Sequence, residues 1–199
     1  MSDQLKNYDI ILVLDKSGSM GTKDMPGGKS RWDAAQELTL ALTRKALEFD
    51  QDGITVIPFA GSFKRYDNVN SEEVVAKIFK ENEPNMSTDT AKVMKAVFDE
   101  YFAKKAKPII ALVVTDGVPD SEPALESVII EATKKMEKDE EIGVSFIQIG
   151  TDAGATAFLK RLDDGLVAKG AKFDIVDTKT TEEMGEMTIT DVILSALND

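Results

Sequence analysis

Carboxylate and hydroxyl side chains are concentrated in two short segments, each of which follows a run of apolar residues. Asp15, Ser17 and Ser19 alternate along the first segment. Asp116 lies in the second, within a Thr-Asp-Gly sequence, and Thr88 stands between the two segments where a helix is predicted to begin. Carboxylate and hydroxyl oxygens are ligands of hard divalent cations. If the fold brings these five side chains together, they predict a site for Mg²⁺, with Mn²⁺ or Ca²⁺ as alternatives.

Two reactive residue types are absent, because the 199 residues include neither cysteine nor histidine. The sequence therefore excludes disulfides, thiolate nucleophiles, zinc sites built on Cys or His, and imidazole base catalysis. The formal charge of −12 repels a phosphate backbone, which argues against nucleic acid as a partner. No apolar run approaches the ~20 residues of a membrane span, and the polar N-terminus lacks a secretory signal pattern, so the sequence predicts a cytoplasmic protein.

Apolar runs and helical patterns alternate along the chain. The predicted strands span residues 8–14, 54–59, 63–66, 109–114, 142–149 and 173–176. The first predicted helix is capped by Ser30 and extends to about Phe49, and the others span residues 71–80, 88–105, 122–138, 153–167 and 181–197. This alternation favours right-handed crossovers and a parallel sheet, and the short link at 60–62 favours a hairpin. The sequence therefore predicts an α/β fold: a doubly wound, Rossmann-like, mostly parallel six-stranded sheet with one antiparallel edge strand and helices on both faces.

The predicted fold places the two acidic segments at one edge of the sheet. In doubly wound sheets, ligands bind beyond the carboxyl ends of the strands, at the point where the strand order reverses. Asp15 and Asp116 both follow predicted strands directly, and Gly18 lets the first segment turn sharply. Thr88 joins them if its helix begins beside the same crevice. The simplest alternative is that the first segment is only a capped turn at a strand end.

The order of these five residues resembles the metal-ion-dependent adhesion site of von Willebrand factor type A (vWA) domains. The resemblance covers about residues 7–197 and includes the order of the strands and helices. It implies that Ser17, Ser19 and Thr88 coordinate Mg²⁺ through their hydroxyls, whereas Asp15 and Asp116 hold it directly or through water. It also implies an N-terminal tail at residues 1–6 and a single vWA domain at 7–199, similar to stand-alone intracellular bacterial members. Such members often act beside ring-shaped ATPases or in multi-protein systems.

The charge balance of such a site explains how it could bind a partner. Two carboxylates at ~5 Å repel each other by about 3 kcal/mol at an effective dielectric constant of ~20, and a divalent cation relieves this repulsion. The two carboxylates only just neutralise the cation, because hydroxyl ligands are neutral, so a carboxylate from another molecule can fill the remaining position. We therefore expect a divalent-metal-dependent protein-binding module with an adaptor or assembly role. Its partner would offer an Asp or Glu side chain, and the module would not be an enzyme.

A Mg²⁺-dependent hydrolase acting on phosphate or ester substrates is the main alternative function. The spacing of the residues singles out no general base, and an aspartyl-phosphate phosphatase would require Asp where Ser17 stands. Residues 23–30 end like a phosphate-binding loop, but Lys23 occupies the position of its first Gly. We expect this Gly- and Pro-containing segment to be a loop on the rim of the site, where it helps to select partners.

Overall fold

A six-stranded sheet forms the centre of the computed structural model, which describes residues 2–49, 53–85, 87–104 and 107–197. The strands are β1 (Asp9–Asp15), β2 (Ile54–Phe59), β3 (Tyr66–Val69), β4 (Ile109–Thr115), β5 (Ile142–Gln148) and β6 (Val176–Thr180). Their order across the sheet is β3-β2-β1-β4-β5-β6. β2 and β3 pair antiparallel, and the other neighbouring pairs are parallel. The predicted fold class, with its antiparallel edge strand, is confirmed.

Helices cover both faces of the sheet. Within the described residues, the α-helices are α1 (Arg31–Ala46), α2 (Glu72–Glu81), α3 (Thr90–Lys104), α4 (Glu122–Lys135), α5 (Ala153–Gly165), α6 (Thr181–Met184) and α7 (Ile189–Ser195). In this described part of the chain, no helix combines the length and the apolar character that crossing a membrane would require.

The central strand β1 shows why the sheet is covered on both faces. Its side chains alternate in direction, as in any strand, so that successive residues enter different cores. Ile11 and Val13 pack in the core that α3, α4 and α5 share, whereas Ile10, Leu12 and Leu14 pack in the core that α1, α2 and α7 share. A strand that is buried on both faces requires a continuous apolar run, which is the pattern that predicted β1 from the sequence.

The strand order reverses between β1 and β4. The chain leaves β1 toward β2 on one side, and β4 later pairs with the other side of β1. Leu14 lies opposite Pro58 in β2 and opposite Val114 in β4. The residues that follow, Asp15 and Thr115, therefore emerge side by side at the carboxyl ends of adjacent parallel strands. In doubly wound sheets this point carries the ligand crevice.

The two short edge strands lie later in the chain than the sequence predicts. An isolated bridge between Phe59 and Phe63 extends the turn after β2, so β3 begins at Tyr66 instead of residue 63. β6 spans Val176–Thr180 instead of residues 173–176. Both strands have a neighbour on one side only, and most of their polar residues are partly or fully exposed. Hydrophobic patterning therefore marks their positions poorly.

The last predicted helix is divided into two. Thr180 caps α6 by accepting a hydrogen bond from the backbone N–H of Glu183, and Thr188 caps α7 in the same way through Asp191. Each hydroxyl satisfies backbone N–H groups that would otherwise lack a partner, so the second cap starts a new helix. Lys105, the predicted end of the third helix, lies outside the described residues.

The segment predicted as an N-terminal tail contributes to the core. Ser2–Asn7 forms a 3₁₀ helix, and the backbone N–H of Tyr8 donates to the carbonyl of Leu5 at 3.1 Å. Leu5 is fully buried in the same core as Leu12. Burial of this one large apolar side chain favours packing of the segment against the domain.

Candidate metal centre

Asp15 is the last residue of β1, and its side chain is fully buried. Its Oδ1 accepts a hydrogen bond from the backbone N–H of Ser17 at 2.7 Å, and its Oδ2 accepts one from the hydroxyl of Thr115 at 2.7 Å. Burial raises the pKa of Asp15 to about 6; the hydrogen bonds from Thr115 and Ser17 oppose that rise, and the charge of Asp116 adds to it. The two hydrogen bonds hold the carboxyl group in one orientation.

Ser17 and Ser19 connect Asp15 to the opposite loop. Residues Gly18–Gly21 form a 3₁₀ turn in which the buried side chain of Met20 anchors the loop, and the Met20 N–H donates to the carbonyl of Ser17 at 3.0 Å. The hydroxyl oxygens of Ser17 and Ser19 lie 3.1 Å apart. Ser19 in turn donates to Oδ1 of Asp116 at 2.9 Å. The structure thus joins four of the five predicted residues in one hydrogen-bonded chain.

Thr88 lies beside the loop that joins β4 to α4 (residues 116–121) and is bonded to it through its backbone. Its N–H donates to Oδ1 of Asp120 at 3.0 Å, and the N–H of Asp120 donates to the carbonyl of Thr88 at 3.0 Å. Asn85, earlier in the same segment, donates its N–H to the carbonyl of Lys16 at 2.6 Å. Among the described residues, the Thr88 hydroxyl forms no hydrogen bond with the other four predicted residues. The fifth residue therefore lies in a loop attached to both acidic loops, without a direct link to their side chains.

Arg31 is a residue of the site that the sequence interpretation missed. It is the first residue of α1, and its Nη1 donates to Oδ2 of Asp116 at 2.8 Å. Its Nε and Nη2 donate to Asp24 on the rim loop, at distances from 2.6 to 3.1 Å. Hydrogen bonding to Arg31 lowers the pKa of Asp24. The same hydrogen bonding is the largest cause of the raised pKa of Arg31. A positive side chain at the start of a helix opposes the helix dipole, and this mismatch was the available sequence signal.

The donor set fits a hard divalent cation. Within the described residues, no group of three or more Asp or Glu side chains could hold a metal by itself, so a cation here needs hydroxyl ligands as well. Asp116 is 1% exposed and already has a charged partner in Arg31. The hydrogen-bond partners of Asp15 in the described part of the chain are neutral. Because burying an unpaired carboxylate is unfavourable, a bound cation would supply the charge that favours ionised Asp15. Asp15, Asp116 and the Ser17 and Ser19 hydroxyls are the residues that would hold it, with Thr88 as the fifth predicted ligand on the adjoining loop.

Two exposed apolar side chains lie on loops at the same edge of the sheet as this polar cluster. Among the described residues, the large hydrophobic side chains that are exposed are Phe63, Val118 and Val167. Phe63 follows β2, and Val118 lies two residues after Asp116, so both lie on loops at the carboxyl edge of the sheet. Val167 follows the C-terminal end of α5 and is not on a loop that directly follows a strand. Exposed apolar groups around a polar centre are typical of protein interaction surfaces.

The six-stranded sheet with one antiparallel edge strand and helices on both faces defines a vWA-like α/β fold. The chain belongs to the vWA-TerF-like family, described as a vWA found in the TerF C terminus, which matches residues 7–196. No sequence among curated proteins matches the chain significantly.

Solved structures of other proteins share this fold. The D319A mutant of the PilB minor pilin from Streptococcus sanguinis is 17% identical with a TM-score of 0.67, over 94% of this chain and 60% of the pilin. Manganese-loaded Plasmodium vivax TRAP protein is 16% identical with a TM-score of 0.62, over 95% of this chain and 74% of TRAP. The von Willebrand factor type A protein from Catenulispora acidiphila is 17% identical with a TM-score of 0.60, over 95% of this chain and 43% of its own. This chain thus spans less than two thirds of the pilin and of the Catenulispora protein. At these identities the similarity establishes the fold alone.

Proposed function

We propose that this vWA domain is a divalent-metal-dependent protein-binding module with an adaptor or assembly role. Asp15, Ser17, Ser19, Thr88 and Asp116 would hold the cation, with Mg²⁺ as the expected ion and Mn²⁺ or Ca²⁺ as alternatives. The observation that carries the proposal is the hydrogen-bonded chain from the Asp15 carboxyl group through the two serines to Asp116. It gathers oxygen donors from two strand ends that lie about a hundred positions apart in the sequence.

The chemistry of the donors favours an open position on the cation. Two carboxylates balance its charge, and the serine and threonine hydroxyls add oxygen ligands without adding charge. The metal would supply an electrophilic centre for an anionic group of a partner. The manganese-loaded TRAP structure is an example of a divalent cation in a protein that shares this fold. The cytoplasmic location remains an expectation from the sequence.

The partner class follows from the surroundings of the cluster. A protein that presents an Asp or Glu side chain would match the cation, while Phe63 and Val118 would provide apolar contacts beside it. An ATPase or a larger multi-protein system is the kind of partner that the vWA resemblance implies. Nucleic acid is not expected, given the net charge of −12, and a membrane is not expected because no apolar run approaches the ~20 residues of a span.

A melting experiment with metal tests the site. Ligands that bind only the folded state raise its stability, so we expect Mg²⁺ or Mn²⁺ to raise the melting temperature above its value in EDTA. The combined variant Ser17→Ala, Asp116→Ala should lose this metal-induced rise. Asp67→Asn removes an exposed carboxylate from another part of the sheet and should keep it. Equal melting curves of the wild type in metal and in EDTA would overturn the proposal.

A second experiment separates binding from catalysis. Immobilised wild-type chain should retain a native partner in Mg²⁺ and release it in EDTA, and the double variant should retain none. Phosphate and ester substrates should not be turned over in Mg²⁺. Turnover that disappears in Asp116→Ala would favour the hydrolase alternative instead.

A further inference from the structure

The guanidinium of Arg31 connects three loops at the carboxyl edge. It bonds Asp116 after β4 and Asp24 on the rim, and its side chain is only 14% exposed. On a third side it lies against Gly150, the second residue after β5, where an added Cβ would come within 3.0 Å of the Arg31 Nε. The loops therefore hold this cation in a defined position.

Arg31 and the proposed metal ligands share one carboxylate. Oδ2 of Asp116 accepts from Arg31, whereas Oδ1 accepts from Ser19, one of the proposed ligands. A divalent cation held by those ligands would thus lie near a second positive charge. The two cations would repel each other, and both would attract an anion that approaches from outside.

Arg31 also keeps hydrogen-bonding capacity. A guanidinium carries five N–H donors. The Nε–H, one N–H of Nη2 and one of Nη1 are used by Asp24 and Asp116. Among the described residues, the remaining two N–H groups have no acceptor. A planar fork with free donors suits a carboxylate, which can accept from a guanidinium and a metal at the same time.

On the basis of the proposed metal-dependent function, we propose that Arg31 is a second cation of the binding site: it weakens metal affinity and strengthens the binding of a partner's Asp or Glu carboxylate. Asp24 moderates both effects, because its carboxylate neutralises part of the Arg31 charge and occupies two of the guanidinium nitrogens. A purely structural role for Arg31 makes a different prediction. Loosening the site would weaken metal and carboxylate binding together.

The test measures the two affinities separately. Mn²⁺ affinity is followed by electron paramagnetic resonance titration, and carboxylate affinity by the relaxation that Mn²⁺-loaded protein induces in ¹³C-labelled acetate, with acetamide as the neutral control. Arg31→Gln should bind Mn²⁺ roughly tenfold more tightly and acetate severalfold more weakly than the wild type. Arg65→Gln is the matched control, because Arg65 also bonds two carboxylates but away from the site, and it should change neither affinity.

A second variant, Asp24→Asn, should change the Mn²⁺ and acetate affinities in the directions opposite to those of Arg31→Gln. Asp24→Asn alters an exposed rim residue, so the fold should persist. It should bind Mn²⁺ about threefold more weakly and acetate more tightly, since the Arg31 charge is less neutralised. Arg31→Gln that weakens both affinities, or leaves both unchanged, would overturn the proposal, as would Asp24→Asn that binds Mn²⁺ and acetate like the wild type. Failure of the wild type to bind Mn²⁺ would instead contradict the proposed metal-dependent function.

Discussion

Two arginines of this chain each bind two carboxylates, in different parts of the sheet. Arg31 bonds Asp116 and a rim carboxylate at the carboxyl edge. Arg65 bonds Asp67 and Glu100 beside a cavity of about 260 Å³ that is also lined by the first residues of β1 and β4. The two clusters differ in the burial of one carboxylate: the Asp116 side chain is 1% exposed, whereas those of Asp24, Asp67 and Glu100 are 40%, 55% and 30% exposed.

The difference in burial changes what the same charge pattern does. Water solvates the charges around Arg65, so their attraction is screened and each partner tolerates the loss of the other. Asp116 has little water and depends on Arg31 and Ser19 for its stabilisation. The carboxyl edge also gathers hydroxyl oxygens next to its buried carboxyl groups. Under the proposed function the Arg31 cluster belongs to the binding site, whereas the Arg65 cluster connects β3 to α3 at the surface.

The largest expected effect comes from removing each arginine in turn. Arg31→Ala leaves a buried carboxylate without its charged partner, so we expect it to lower the free energy of unfolding in EDTA by about 3 kcal/mol. Arg65→Ala breaks a solvated pair and should lower it by about 0.5 kcal/mol. Urea denaturation of both variants measures the difference. Equal losses would show that burial does not distinguish the two clusters.

The pH dependence of stability gives a second test through Asp15. Burial raises the pKa of Asp15 from 3.8 to about 6. The folded protein therefore holds this proton between about pH 4 and pH 6 while the unfolded chain releases it. The resulting stability is present below about pH 4 and is lost as the pH rises through 6, a loss of about 2–3 kcal/mol.

Asp15→Asn removes this titration and keeps the local hydrogen bonds. Its amide oxygen can accept from the Ser17 N–H, and its NH₂ group can donate to the Thr115 hydroxyl. In EDTA, the wild type should lose stability relative to Asp15→Asn between pH 4 and pH 7, as measured by urea midpoints. A parallel pH dependence in the wild type and Asp15→Asn would show that Asp15 is not the group whose raised pKa lowers stability between pH 4 and pH 7.

The sequence predicted the parts of the fold that hydrophobic burial determines. β1, β4 and β5 are buried on both faces, so their apolar runs were found within one residue at each end. β3 and β6 have a neighbour on one side only and contain polar residues. The positions of their ends are therefore set by turns and by pairing register, which involve distant parts of the chain. Leu5 is a single apolar residue without a periodic neighbour, so its packing against the core could not be predicted.

The site shows the same division. Asp15 ends β1, Asp116 directly follows β4, and these strands are neighbours, so their approach could be predicted from the order of elements. The ion pair between Arg31 and Asp116 joins residues 85 positions apart, and it depends on how the rim loop folds over the sheet. Neither spacing nor periodicity encodes that contact.

The smallest expected effect on stability, and the most specific one for binding, concerns the exposed apolar residues. Phe63 and Val118 are 38% and 39% exposed at the carboxyl edge, whereas Val167, 52% exposed, lies after α5. Serine at any of these positions removes little buried area, so unfolding free energies should change by less than about 0.5 kcal/mol. If the carboxyl edge is the interaction surface, Phe63→Ser with Val118→Ser should reduce Mg²⁺-dependent partner retention severalfold, and Val167→Ser should leave it unchanged. The amount of EDTA-released partner measures this. If the Phe63→Ser, Val118→Ser variant retains as much partner as Val167→Ser, the apolar residues at the carboxyl edge do not contribute to partner binding, and only the charged groups do.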